Sequence, residues 1–99
     1  MTDTELKLRA AKAFVGGFSG VIRIAPEGGV PFDIDGRKEV CAIVAAGDAA
    51  PDCVWRASAE TLTRVFEGGR ALESSYLSGR LFVAGDMSVM ARLVLESSR

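Results

Sequence analysis

Histidine is absent from this 99-residue chain, and with it go the commonest general base and the commonest side-chain metal ligand. Zinc centres, Ser-His-Asp triads and Cys-His nucleophiles are therefore not expected from this chain alone. Cysteine is scarce: Cys41 and Cys53 are too few for a disulfide framework and sit among strand-like apolar residues, so they read as reduced core side chains. Neither sign of charge is in excess, since 12 Lys+Arg against 13 Asp+Glu leave a formal net charge of -1. A nucleic-acid footprint needs a basic excess on some face, so no nucleic-acid partner is expected, and composition offers no general membrane-surface patch. No apolar run approaches the roughly 20 residues of a spanning helix, so no stable membrane insertion is expected. The opening Met1-Thr2-Asp3-Thr4-Glu5 is acidic where a secretory signal is basic, and the expected compartment is the cytoplasm.

With 48% hydrophobic and 25% charged residues, residues 1–99 read as a single folded domain able to bury about two-thirds of its unfolded surface. From Asp3 to about Phe14, Leu6, Ala10, Ala13 and Phe14 share one side of a helix that Gly16-Gly17 stops. Ser19 to Ala25 is a first strand, closed by Pro26-Glu27-Gly28-Gly29. In Pro31 to Gly36 apolar and acidic residues alternate, which turns Phe32 and Ile34 to a core and Asp33 and Asp35 to water. In Glu39 to Ala46, Val40 to Ala45 form an unbroken run of small apolar residues, so both faces are partly covered or one touches an apolar ligand or partner. Cys53 to Ala57 is a fourth strand, Ser58 caps a helix over Ala59 to Glu67, and Arg70 to Ser78 is a short helix or turn.

The stretch Gly79-Arg80-Leu81-Phe82-Val83-Ala84-Gly85-Asp86-Met87 compresses a strand, a turn and a helix start into nine residues. Asp86 is placed to accept the free N–H groups of a helix carrying Met87, Met90, Ala91, Val94 and Leu95 at helical spacing. That stripe is either ordinary core or an adaptable lid over a ligand, because methionine fills irregular space. Short connections between successive strands predict an antiparallel meander with helices on one face, an α+β two-layer domain.

The glycine pairs at 16–17, 28–29 and 68–69 lack phosphate-loop spacing and are turns and caps. Asp33 and Asp35, two apart on one strand face, form the carboxylate pair nearest to acid/base geometry, but no partner base accompanies them. They read as solvated charges, and no catalytic residue, metal site or cofactor is assigned.

Cys53-Val54-Trp55-Arg56-Ala57-Ser58-Ala59-Glu60-Thr61-Leu62, then Phe66-Glu67-Gly68, then Tyr76-Leu77-Ser78-Gly79-Arg80-Leu81-Phe82-Val83-Ala84-Gly85-Asp86 together resemble the sterol carrier protein 2 domain family. The resemblance implies a five-stranded, mainly antiparallel sheet with helices packed on one face. It also implies an apolar tunnel between helices and sheet that takes a fatty acid, fatty acyl-CoA or sterol without catalysis. On that basis the expected ligand-binding residues are Trp55, Leu62, Phe66, Leu72, Tyr76, Leu77, Phe82, Met87, Met90 and Val94. Tyr76 and Phe82 lead that set among the aromatics. Arg70 and Arg80 flank the Leu72–Leu77 segment as candidates for a carboxylate or phosphate head group. The expected partner is a lipid or other hydrophobic small molecule. The alternative is an accessory subunit with a collapsed pocket, acting as a homodimer or beside a larger enzyme. The short portion before the strands motivates that alternative.

Overall fold

A computed structural model describes residues 3–14, 16–47, 50–67, 71–86 and 88–89. In chain order the elements are α1 (Asp3–Ala13), β1 (Val21–Pro26), β2 (Phe32–Asp35), β3 (Ala42–Ala45), β4 (Cys53–Ala57), α2 (Ala59–Glu67), α3 (Ala71–Leu77) and β5 (Phe82–Gly85). The expected order is reproduced through β5. Ser88 and Val89 stand in a helical turn after it, and the remainder of the expected C-terminal helix lies outside the described residues.

The strands form one mixed sheet in the order β3-β2-β1-β4-β5. Three neighbouring pairs are antiparallel, as expected, but the central β1–β4 pair is parallel, with Ile24 opposite Trp55. The antiparallel meander is thereby corrected. The chain leaves β3 at one edge and returns on the far side of β1, where Asp52 clips the new strand in place. Asp52 N–H donates to the Val21 carbonyl (2.9 Å), and Val21 N–H donates to Asp52 Oδ2 (2.7 Å). Turn residues set only which elements follow closely; this contact spans the whole β2–β3 excursion.

The inner face of the sheet follows from strand alternation. Ile22 and Ile24 of β1, Phe32 and Ile34 of β2, and Cys53, Trp55 and Ala57 of β4 all point to the helices and are buried. Leu6, Ala10 and Ala13 of α1 and Leu62, Val65 and Phe66 of α2 cover them. Phe14 is the hub, with ring centroids 6.1 Å from Phe18, 5.7 Å from Trp55 and 5.8 Å from Phe66, the last edge-on. Tilted and edge-on aromatic pairs add to the area they bury. Gly36 is required beside Phe18, because a side chain there would run into the ring.

The outer face departs from the expected solvated surface. Asp33 points away from the core, yet it is only 6% exposed. Arg23 closes over it, donating from Nε to Oδ1 (2.9 Å) and from Nη2 to Oδ2 (3.2 Å). The same Nη2 donates to the Gly47 carbonyl (2.8 Å). β3 is an edge strand, and its Ala42, Val44 and Ala45 are exposed rather than covered on both faces. These side chains are small, so leaving each in water costs little at about 25 cal/mol per Å². Cys53 is buried as expected, whereas Cys41 is half-buried, its thiol donating to the Gly16 carbonyl (3.0 Å). Burial raises the pKa of both thiols.

Candidate functional site

The α2–α3–β5 end of the molecule is assembled by three local devices. Ser58 starts α2, its Oγ accepting the Thr61 N–H (3.1 Å), which satisfies one of the free donors of a helix N-terminus. The amphipathic spacing of α2 then turns Leu62, Val65 and Phe66 into the core. α3 ends where the Ser75 carbonyl accepts both the Arg80 N–H (2.9 Å) and the Leu81 N–H (3.0 Å), folding the Ser78–Gly79 turn back towards the sheet. The third device is the Gly85–Asp86 joint. Gly85 has φ +112°, and a side chain there would strike the Asp52 carbonyl. Asp86 N–H donates to that carbonyl (2.7 Å), and its Oδ1 accepts the Ser88 N–H (2.9 Å) and the Ser88 hydroxyl (2.6 Å). The predicted cap at Asp86 is therefore present, and Val89 beyond it is buried.

These devices distribute the expected ligand-binding residues over three environments. Trp55, Leu62 and Phe66 lie together in the sealed core. Leu72 of α3 is partly buried and packs against that core. Tyr76 and Leu77 reach the surface, 49% and 75% exposed. Phe82 is 58% exposed, and its pairing with Arg56 sets it on the outer face of the sheet. The expectation that Phe82 lines a helix–sheet cleft is corrected by this register: Trp55 opposes Val83, so Val83 is the β5 residue that faces the helices. Met87, Met90, Val94 and Arg70 lie outside the described residues. Arg80 is exposed.

Sequence reasoning passed over Leu81 and Val83 as core-facing residues of this end. Leu81 is buried and Val83 packs against the core. The available signal was the i, i+2 spacing of Leu81 and Val83, which competes with that of Arg80 and Phe82.

The helix-facing wall at this end, Trp55, Leu62, Phe66, Leu72 and Val83, carries no ionisable group. Its polar neighbour Thr63 turns its hydroxyl onto the Ala59 carbonyl (2.8 Å). Such a surface offers dispersion and water exclusion but no proton transfer.

The opposite face offers a groove of about 430 Å³ lined by Val21, Asp33, Asp35, Arg37, Val44, Ala45, Gly47, Ala50 and Asp52. Its carboxylates are engaged. Arg37 donates from Nε and Nη2 to the two oxygens of Asp35 (2.9 and 2.8 Å) and from its backbone N–H to Oδ1 (3.1 Å). Those hydrogen bonds hold the Asp35 pKa down to about 2. A carboxylate held ionised in this way is a poor proton shuttle near neutral pH. No group of three or more potential metal ligands occurs among the described residues.

The sequence pattern of the SCP-2 sterol transfer family matches residues 3–94. No individually curated protein sequence matches the chain. Among solved structures the chain is similar to a UbiJ-SCP2 ubiquinone synthesis protein, with TM-score 0.62, 20% identity, and coverage of 92% of this chain and 75% of that one. It is also similar to the sterol carrier protein domain 2 of Helicoverpa armigera, with TM-score 0.59, 18% identity, and coverage of 91% and 69%. A palmitated SCP2L2 from Aedes aegypti gives TM-score 0.58, 14% identity, and coverage of 93% and 90%. At these identities the structural likenesses establish the fold, a five-stranded mixed sheet with helices on one face. By the match over residues 3–94, the chain belongs to the SCP-2 sterol transfer family.

Proposed function

We propose that the chain is a non-enzymatic carrier of a fatty acid, fatty acyl-CoA or sterol, held between the helices and the β4–β5 side of the sheet. The observation that carries this reading is the uncharged wall of Trp55, Leu62, Phe66, Leu72 and Val83 in a chain of this family. Leu72 and Val83, the half-buried members, make the first contact with the ligand, and Trp55, Leu62 and Phe66 form its floor. Met87, Met90 and Val94 are the further apolar groups assigned to the ligand, Tyr76 and Leu77 flank the mouth, and Arg70 and Arg80 are assigned to its carboxylate or phosphate. Each buried methylene contributes about 0.8 kcal/mol, so an acyl chain binds tightly with few polar contacts. The palmitated Aedes aegypti relative lends support by analogy of fold. No helix among the described residues is long and apolar enough to cross a membrane, in keeping with a carrier working in the cytoplasm.

Extraction of lipid from protein purified from cells, followed by titration of the stripped protein with a fluorescent fatty acid, tests the proposal. Bound lipid and saturable uptake are expected; neither appearing would end it. A second reading is favoured by the open edge at β3, where Val44 is exposed and Val40 stands 72% exposed just before the strand. There the chain acts as an accessory subunit that adds strand to strand, with a second copy or alongside a larger enzyme. A clean monomer in sedimentation at high concentration counts against the self-pairing form.

A further inference from the structure

The outer face of the sheet changes character across its width. Over β1 and β2 its charges are matched, Arg23 with Asp33 and Arg37 with Asp35. Over β4 and β5 they are not. Alternation from the buried Cys53, Trp55 and Ala57 turns Val54 and Arg56 outward along β4, and Asp52, just before them, shares the outer groove with Val21 and Asp35. The register sets Ala84 beside Val54 and Phe82 beside Arg56. An open sheet face ordinarily carries polar side chains, yet the middle of this one is Val54 and Ala84. The two ends of the β4 stripe carry opposite charges, Asp52 and Arg56, about 13 Å apart along an extended strand. Neither makes an ion pair with a described residue. Asp52 Oδ2 accepts the Val21 N–H (2.7 Å), and Arg37, which feels the Asp52 charge, gives its side-chain hydrogen bonds to Asp35. Asp86, whose N–H donates to the Asp52 carbonyl (2.7 Å), places a second carboxylate at the negative end.

We propose that the stripe Asp52, Val54 and Arg56 is a docking surface for a second copy of the chain, the two sheets packing back to back about a two-fold axis that crosses the strands. Such an axis reverses the strand direction of the second copy. Asp52 of each copy then meets Arg56 of the other, twice, and Val54 lies on Val54. Arg23, level with Val54 in the β1–β4 register, brings no unmatched charge to the axis, because Asp33 and the Gly47 carbonyl hold it. Charge complementarity selects the occupant. A polyanion or an anionic bilayer that met Arg56 would also meet Asp52 and Asp86 and be repelled by them. A second copy necessarily presents the same two charges at the same separation in the reverse sense. With a formal net charge of -1 per chain, two copies repel only weakly as they approach. The surface lies across the sheet from the helix-facing wall and does not depend on a bound ligand. It is also distinct from pairing at the β3 edge, which uses backbone groups on the far side of the sheet.

Sedimentation equilibrium of the full chain, at low salt and over a range of concentrations, is the test. A dimer is expected, weakening as salt rises. Arg56→Glu sets like charges together at both contacts and should weaken dimerisation about 100-fold or more. Val54→Asp, at the centre, should abolish it, and Asp52→Lys alone should be monomeric. Mixed in equal amounts, Arg56→Glu and Asp52→Lys should form a heterodimer, because each contact then joins opposite charges. Val40→Lys, beside the β3 edge, should leave dimerisation unchanged. Circular dichroism shows that each variant is folded; should Asp52→Lys lose its bond to Val21 and unfold, Arg56→Glu and Val54→Asp decide the matter. A monomer at every concentration overturns the proposal, as does a dimer that Arg56→Glu and Val54→Asp leave intact or one that Val40→Lys abolishes. So does a mixture of the two folded charge variants that stays monomeric.

Discussion

The two faces of the central strands meet their surroundings by opposite means. On the inner face Ile22, Ile24, Phe32, Ile34, Cys53 and Trp55 are covered by α1 and α2 and need no polar partner. On the outer face of the same strands, charge is matched by charge: Arg23 with Asp33 and Arg37 with Asp35. The difference underlies the location proposed for the ligand. Over β1 and β2 the outer face is occupied by its own ion pairs, whereas the inner face is apolar and ends, at Leu72 and Val83, in side chains that are only partly covered. On the proposed reading a hydrophobic ligand extends the inner face.

This contrast is broken most severely from the inside. Trp55→Ala removes the largest buried side chain, beneath Phe14, and is expected to cost about 3–5 kcal/mol in urea unfolding. Phe14→Ala should fall in the same range. On the outer face, Arg23→Met leaves the nearly buried Asp33 carboxylate without its cation; an expected loss of about 2 kcal/mol reflects a pair that water still reaches from the arginine side. A loss as large as that of Trp55→Ala would erase the distinction between the faces. Ser58→Ala, which removes the α2 cap, should cost about 1 kcal/mol.

The smallest effect concerns pH. Asp35 has a folded pKa of about 2, below its ordinary value of 3.8. Its contribution is therefore complete above about pH 4 and is lost as pH falls through about 2. Screening of the exposed Arg37 partner limits it to about 1 kcal/mol. Asp35→Asn should flatten the acid limb of the stability curve by that amount and leave neutral-pH stability lower by the same amount.

Much of this was legible in the residues. The helical faces of Leu6–Phe14 and Leu62–Phe66, the Ser58 and Asp86 caps and the presence of a strand before Asp86 follow from local chemistry. Two features were not legible, and for different reasons. β5 is apolar at nearly every position, so period-2 alternation assigns it no inner face; size favoured Phe82, but the pairing of Trp55 with Val83 decides it. The parallel β1–β4 pair depends on Asp52 meeting Val21 across 31 positions of chain, and no local signal marks such a contact. Asp33 combines both limits: alternation correctly turned it from the core, but only Arg23 and the Gly47 backbone take it out of water.

Trp55 is the chain's one tryptophan, and it lies beside Val83 on the wall assigned to the ligand. Titration of the stripped protein with a fatty acid, followed by Trp55 emission, therefore reports on the inner face directly. The account predicts a saturable change at one ligand per chain, lost in Leu72→Asp and retained in Val44→Asp on the outer face. No saturable change, or a change that Val44→Asp removes and Leu72→Asp does not, would contradict it.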